Sequence, residues 1–189
     1  MTEAAPSSTQ PIGLFARAIG MLFSPRPTFQ NIIATPRPIV ILLLVALVIG
    51  IGTAAPQFTE SGREAVVQMQ LKAMAARPNV DLAQAEAGLR RFAPFFPYVS
   101  LAFTFIILPV ITLFMTALYW GFFNVVLGGT ATYKQVLAVV THASVITAVG
   151  VLVGLPLMFV HPNMNMGGPF NLGALVPTLE EGSRLAKFL

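Results

Sequence analysis

The sequence predicts an all-α integral membrane protein, with three transmembrane helices and amphipathic helices at the membrane interfaces. Three observations carry this reading. Of the 189 residues, 56% are hydrophobic and only 10% are charged, against roughly 25% charged in an average soluble domain. A water-soluble fold of this size has too little interior to hide so much apolar surface. Next, no Asp, Glu, Lys or Arg stands between Arg91 and Lys134, and none between Lys134 and Glu180. A helix of about 20 apolar residues crosses a hydrocarbon core of roughly 30 Å, so this stretch is long enough to cross twice. Gly128-Gly129 marks where it turns back. Finally, a separate uncharged run extends from Ile39 to Ala55.

The formal net charge is +4, with the bases scattered singly along the chain. Nucleic acid calls for a clustered basic stripe. The lipid bilayer with its anionic headgroups is therefore the expected partner, and nucleic acid is not. The chain has no cysteine, which excludes disulfides, thiolate metal sites and cysteine nucleophiles. The first long apolar run begins near Ile39, too far along for a secretory signal, so the first membrane helix is expected to serve as the insertion signal.

Residues 1–38 read as a polar tail followed by short amphipathic helices. Met1 to Gln10 is polar and contains Pro and Ser, a composition expected to be disordered. Leu14, Phe15, Ala18, Ile19, Leu22 and Phe23 then fall at helical spacing, with Arg17 among the few polar positions. Such a helix either lies in the membrane interface or packs against the rest of the protein. Pro25 and Pro27 break it and let a second short helix start, which Thr35-Pro36-Arg37-Pro38 ends. Residues 39–55 form the first span, with Pro38 tolerated in its first turn and Arg37 able to snorkel to the headgroups.

Residues 56–97 are a polar helical loop. Ser61-Gly62-Arg63-Glu64 has capping-box spacing, and Asp81 to Gln84 offers a second helix start. Arg63, Lys72 and Arg77 sit among Glu60, Glu64, Asp81 and Glu86, a nearly balanced set that reads as a solvated face. Residues 98–160 are the transmembrane hairpin. Tyr98 and Tyr119-Trp120 stand about 32 Å apart at 1.5 Å per residue, matching a hydrocarbon core between aromatic belts. Pro109 falls near mid-span, where it should kink the helix or free a carbonyl. The second span continues to Leu127, the glycines turn the chain, and the third span runs from about Gln135 to Val160. Ala143, Thr147, Gly150 and Gly154 recur on one face of it, and Gly150 and Gly154 have the small-xxx-small spacing that lets helices approach closely in lipid. That face is expected to pack within the chain; a seam between two copies is the alternative. Residues 161–189 are a loop and the start of an amphipathic helix, opened by Thr178-Leu179-Glu180-Glu181.

Few residues suggest chemistry. His142 is the one ionisable side chain within the third span, opposite Thr116 and Met115 when counted outward from the glycine turn. An ionisable residue inside a membrane is a functional candidate by default. No carboxylate lies in any span to complete a proton relay, so the preferred reading is a neutral imidazole hydrogen-bonded to Thr116 or Thr112. His161, Met164 and Met166 are the only metal candidates, of the thioether and imidazole kind that suits Cu(I), yet three ligands in one short loop with no second cluster are a weak set. No Ser/His/Asp set, phosphate loop or metalloprotease motif is discernible. No catalytic residue and no cofactor is expected, and the protein reads as a non-enzyme.

Two stretches resemble the Yip family, membrane proteins described as interacting with Ypt/Rab GTPases and having many bacterial relatives. Leu22-Phe23-Ser24-Pro25-Arg26-Pro27-Thr28-Phe29-Gln30-Asn31-Ile32, followed by Pro36 and an apolar helix, is similar to the family's opening. Gly128-Gly129-Thr130-Ala131-Thr132-Tyr133-Lys134-Gln135-Val136-Leu137 resembles its turn before the third span, and Phe170-Asn171-Leu172-Gly173-Ala174-Leu175 the loop that follows. The resemblance implies a non-enzymatic multi-pass protein of membrane organisation, trafficking or partner recruitment. In eukaryotic relatives it implies vesicle traffic and small-GTPase contact. Other membrane proteins, or further copies of the chain, are the expected protein partners. The cysteine-free composition, rich in Ala, Gly and Pro, points to a bacterial-type member in the inner (plasma) membrane. The family usually has five membrane helices and this sequence supplies three, so the last two are expected to be missing. The alternative function is a subunit or fragment of a transporter or permease, with Pro109, Pro156 and His142 lining a path. The N-terminus is expected on the cytoplasmic side, although a raw Lys/Arg count favours the polar loop there.

Overall fold

The computed structural model describes residues 13–160. The expected N-terminal tail, the loop with His161, Met164 and Met166, and the helix opened by Thr178 lie outside them. The described residues form seven α-helices: α1 (Leu14–Phe23), α2 (Pro25–Ala34), α3 (Pro38–Ala54), α4 (Glu60–Ala75), α5 (Leu82–Phe92), α6 (Phe96–Gly121) and α7 (Tyr133–Val160). No strand occurs among them. Three stretches hold a helix long and apolar enough to cross a membrane: Pro38–Phe58, Leu82–Val126 and Tyr133–Pro156.

Local chemistry sets the boundaries. Pro25 opens α2 and Pro38 opens α3, positions where the missing N–H costs nothing. A 3-10 turn, Ala55–Phe58, ends α3 and leaves Thr59 extended at φ −85° and ψ 157°. That is the backbone an N-cap needs, and the Thr59 hydroxyl accepts from the Gly62 N–H at 3.0 Å. The cap of α4 is therefore Thr59 and not Ser61, which falls inside the first turn. Asp81 caps α5, accepting from the Ala83 and Gln84 N–H groups. Between the two helices Asn79 takes φ 63°, a left-handed conformation that Asn tolerates better than most residues.

The chain divides into two compact units, whose described parts are 13–47 with 104–148, and 48–103 with 149–160. In the first unit α1 folds back on α2. Gly20 permits this, because a Cβ there would stand 2.3 Å from the Thr28 hydroxyl oxygen. Met21 and Ile32 then meet Ala138 of α7 in a small core, with Phe29 against it. The hairpin turn also belongs to this unit. A π-helical turn, Phe122–Val126, ends α6, and Gly128 adopts φ 68°. Asn124 clasps the returning chain: its amide donates to the Ala131 carbonyl at 2.6 Å and its oxygen accepts from the Ala131 N–H at 3.2 Å. Trp120 Nε1 donates to the same carbonyl at 3.0 Å. Thr132 and Gln135 make a reciprocal capping box, with Gln135 Oε1 accepting from the Thr132 N–H and Thr132 Oγ1 from the Gln135 N–H.

In the second unit α3 and α7 touch through Gly52, where a Cβ would stand 2.1 Å from Val151 Cγ1. Gln57 and Ser100 exchange hydrogen bonds at 2.9 and 3.1 Å, and Gln57 Nε2 also donates to the Thr53 carbonyl at 2.8 Å. Gly62 lets α4 approach the 3-10 turn, since a Cβ would sit 2.0 Å from the Pro56 oxygen. Across α4 and α5, Arg90 forks onto Glu64 at 2.6 and 2.9 Å and reaches Glu86 at 2.8 Å. Along α6 large apolar side chains stay uncovered by the protein, among them Phe103, Ile106, Val110 and Phe114, each more than half exposed. In a hydrocarbon layer that surface meets its natural solvent.

Candidate functional site

The most unusual group in the first unit is Arg17. It sits on an otherwise apolar helix, and the fold of α1 against α2 leaves it with no exposed surface. Its Nη1 donates to the Thr35 carbonyl at 2.9 Å and its Nη2 to Asn31 Oδ1 at 2.9 Å, with a further bond from Nη2 to the Thr35 hydroxyl. Thr35 is the C-cap of α2, so the guanidinium lies against the last carbonyls of that helix, where the macrodipole is negative. Burial first, and the charge of Arg37 second, push Arg17 below its ordinary value; a guanidinium stays charged regardless. Arg17, Arg26, Arg37 and Lys134 all belong to this unit, whereas the described acids Glu60, Glu64, Asp81 and Glu86 all belong to the other. Among the described residues, the buried cation is held by neutral oxygens alone.

Further polar groups line the interior of the same unit. Thr116, Thr141 and His142 have no exposed surface, and Thr28 and Asn31 are buried. Most of these are tied to their own helices. Thr28 donates to the Ser24 carbonyl, Thr116 to Thr112 and Thr141 to Ala138. His142 does not bond to Thr116 or Thr112 as the sequence suggested. Its Nδ1 lies 2.7 Å from the Ala138 carbonyl, which makes Nδ1 the donor and leaves Nε2 an acceptor. With the proton on Nδ1, Nε2 can only accept, and the Thr116 hydroxyl would have to give up its bond to the Thr112 carbonyl to donate to it. Among the described residues, Arg17 Nε and His142 Nε2 are the buried side-chain polar atoms without a hydrogen-bond partner.

Of the small residues on α7, Ala143 and Thr147 are exposed, Gly150 is half-buried and Gly154 is buried. Pro109 lies inside α6 and Pro156 inside α7. Among the described residues no three His, Asp or Glu side chains converge as a metal-binding group. The Arg17 cluster was missed because its acceptors come from a second helix. Asn31 and Thr35, one turn apart just before a proline, were the signal available.

An all-helical chain with three helices able to span a bilayer, and with its polar side chains mostly bonded to backbone, is a multi-span membrane protein. Residues 19–179 match the Yip1 domain, and the chain belongs to that family. No curated protein and no solved structure matches it.

Proposed function

We propose that this protein is a non-enzymatic Yip1-family protein that organises the membrane it occupies, or recruits partner proteins there. The observation that supports this is the use made of its buried polar groups. Arg17 closes α1 onto α2, Gln57 ties α3 to α6 through Ser100, and Thr28, Thr116, Thr141 and His142 bond to carbonyls of their own helices. Each acts as a structural tie, and none is placed as a nucleophile with an adjacent base. The reading requires no cofactor and no metal. Its partners are the bilayer, other membrane proteins or further copies of the chain, and its location is the inner membrane of a bacterial cell with the N-terminus cytoplasmic.

Reconstitution into proteoliposomes tests the reading. The expected result is no solute flux, together with capture of a membrane protein by in-cell cross-linking. Flux that disappears on His142→Ala would replace it with the transporter reading. A reporter fused after Ala76 tests the orientation, and activity only on the cytoplasmic side would reverse it.

A further inference from the structure

The charges of the first unit have a distribution that local structure does not use. Arg26, Arg37 and Lys134 are exposed, and the two ion pairs found among the described residues join Arg90 to Glu64 and Glu86 in the other unit. Gln135 Nε2 donates to the Ile33 carbonyl at 3.3 Å. That bond joins the start of α7 to the end of α2; Lys134 is the second residue of α7, and Arg37 is the residue before α3. Both cations stand where a spanning helix begins.

Apolar side chains next to these cations in sequence are exposed as well. Ile33, Ile39 and Val40 flank Arg37 and are each more than two-fifths exposed; near Arg26, Phe23 is 81% exposed and Leu22 43%. An acidic protein segment would satisfy the cations and leave these apolar side chains in water. A phospholipid supplies both a phosphate for the cation and an acyl chain for the apolar rim. Arg17 positions the face, because its bonds to Thr35 and Asn31 fix the end of α2 two residues before Arg37.

We propose that Arg37 and Lys134, with Arg26 further along α2, form a docking surface for the phosphate groups of anionic glycerophospholipids in the leaflet this face meets. The surface stands apart from the non-enzymatic reading above, since a transporter would carry it equally well.

Trp120 is the one tryptophan in the sequence. Its ring lies 6.5 Å from that of Tyr133, the residue before Lys134, and it is 38% exposed, so it reports on lipid beside this face. The full chain is placed in vesicles of phosphatidylglycerol and phosphatidylcholine, with brominated chains on one lipid and then on the other, and the quenching of Trp120 is compared. Phosphatidylglycerol is expected to be enriched beside Trp120 by about fivefold for each engaged cation, and less as salt rises. Arg37→Gln combined with Lys134→Gln abolishes the preference, and Arg37→Lys combined with Lys134→Arg keeps it. Equal quenching by the two lipids at low salt would overturn the proposal, as would a preference that survives the double neutralisation. Should the neutralised variant fail to insert, a preference in the unaltered protein that is the same at low and high salt would overturn it alone.

Discussion

Replacing Arg17 with Met removes a buried cation while keeping most of its length and apolar stem. Three hydrogen bonds disappear, to the Thr35 carbonyl, the Thr35 hydroxyl and Asn31 Oδ1. Bonds from a charged donor contribute about 1.5–3 kcal/mol each, so roughly 5–9 kcal/mol of attraction is lost. Against this stands the desolvation of a guanidinium with no carboxylate beside it, several kcal/mol, which the methionine avoids. The balance leaves a net cost of about 2 kcal/mol, confined to the contact between α1 and α2. Arg17→Lys would recover only part of it, since one ammonium point charge cannot serve three acceptors as the planar fork does. The assay is amide hydrogen exchange on the protein in lipid nanodiscs. A loss of about 2 kcal/mol raises local opening about thirtyfold, read at the last turn of α2 and along α1, with α4 and α5 unchanged as an internal control. Unchanged protection at Thr35 in the Arg17→Met protein would refute the reasoning, because the bonds would then contribute nothing that burial of the apolar stem does not.

Gly52→Ala is expected to cost about 1–3 kcal/mol through overpacking against Val151, and Val151→Ala in the same chain to relieve most of it; a double-mutant cycle on detergent unfolding detects the coupling. His142→Leu is expected to be neutral or stabilising by up to about 1 kcal/mol, because it removes a buried nitrogen that has no partner, and thermal unfolding reads the sign. Hydrogen bonds from Arg90 first and Gln68 second hold Glu64 below its ordinary value, so whatever the Glu64–Arg90 tie contributes is fully present above the unfolded carboxylate value of about 4.3. It is lost as pH falls through the lower folded value. Spin labels at Lys72→Cys and Gly88→Cys, feasible in a chain without cysteine, should show the α4–α5 distance distribution broadening in acid, and the same modest broadening at neutral pH in Glu64→Gln, since the pair is exposed.

The spans were legible because the bilayer imposes a rule that a sequence displays directly: absence of charge over a fixed length. Tyr98 and Trp120 both fall within α6, Gly128 takes the positive φ that the turn needs, and Pro38 opens α3. The close crossings were not legible. At Gly20, Gly52 and Gly62 the missing Cβ lets another part of the chain approach, and each meets a partner that a one-dimensional pattern does not name. A small-xxx-small count identifies a helix face able to approach closely, but the neighbour that takes up the space is a property of the fold. Caps sit between these cases. The reciprocal Thr132–Gln135 pair has a spacing that could have been read. Thr59 displaced Ser61 because the 3-10 turn before it, and not the hydroxyl spacing, decided where α4 begins.

Arg17 shows why the site was harder to read than the fold. On a helical wheel one arginine among Leu14, Ala18, Ile19 and Leu22 marks the polar edge of an interfacial helix, and charge alone predicts that such a residue points to water or headgroups. What reverses this is a helix C-terminus three-dimensionally opposite it. The last carbonyls of α2 have no partner within their own helix, and Pro36 and Pro38 supply no N–H of their own to meet them. A buried guanidinium then answers a need that α2 has in any fold that covers its end. The same geometry explains why the cations that remain, Arg26, Arg37 and Lys134, stay exposed. Arg17 already takes the Thr35 carbonyl, the Thr35 hydroxyl and Asn31 Oδ1, and none of the described carboxylates belongs to this unit.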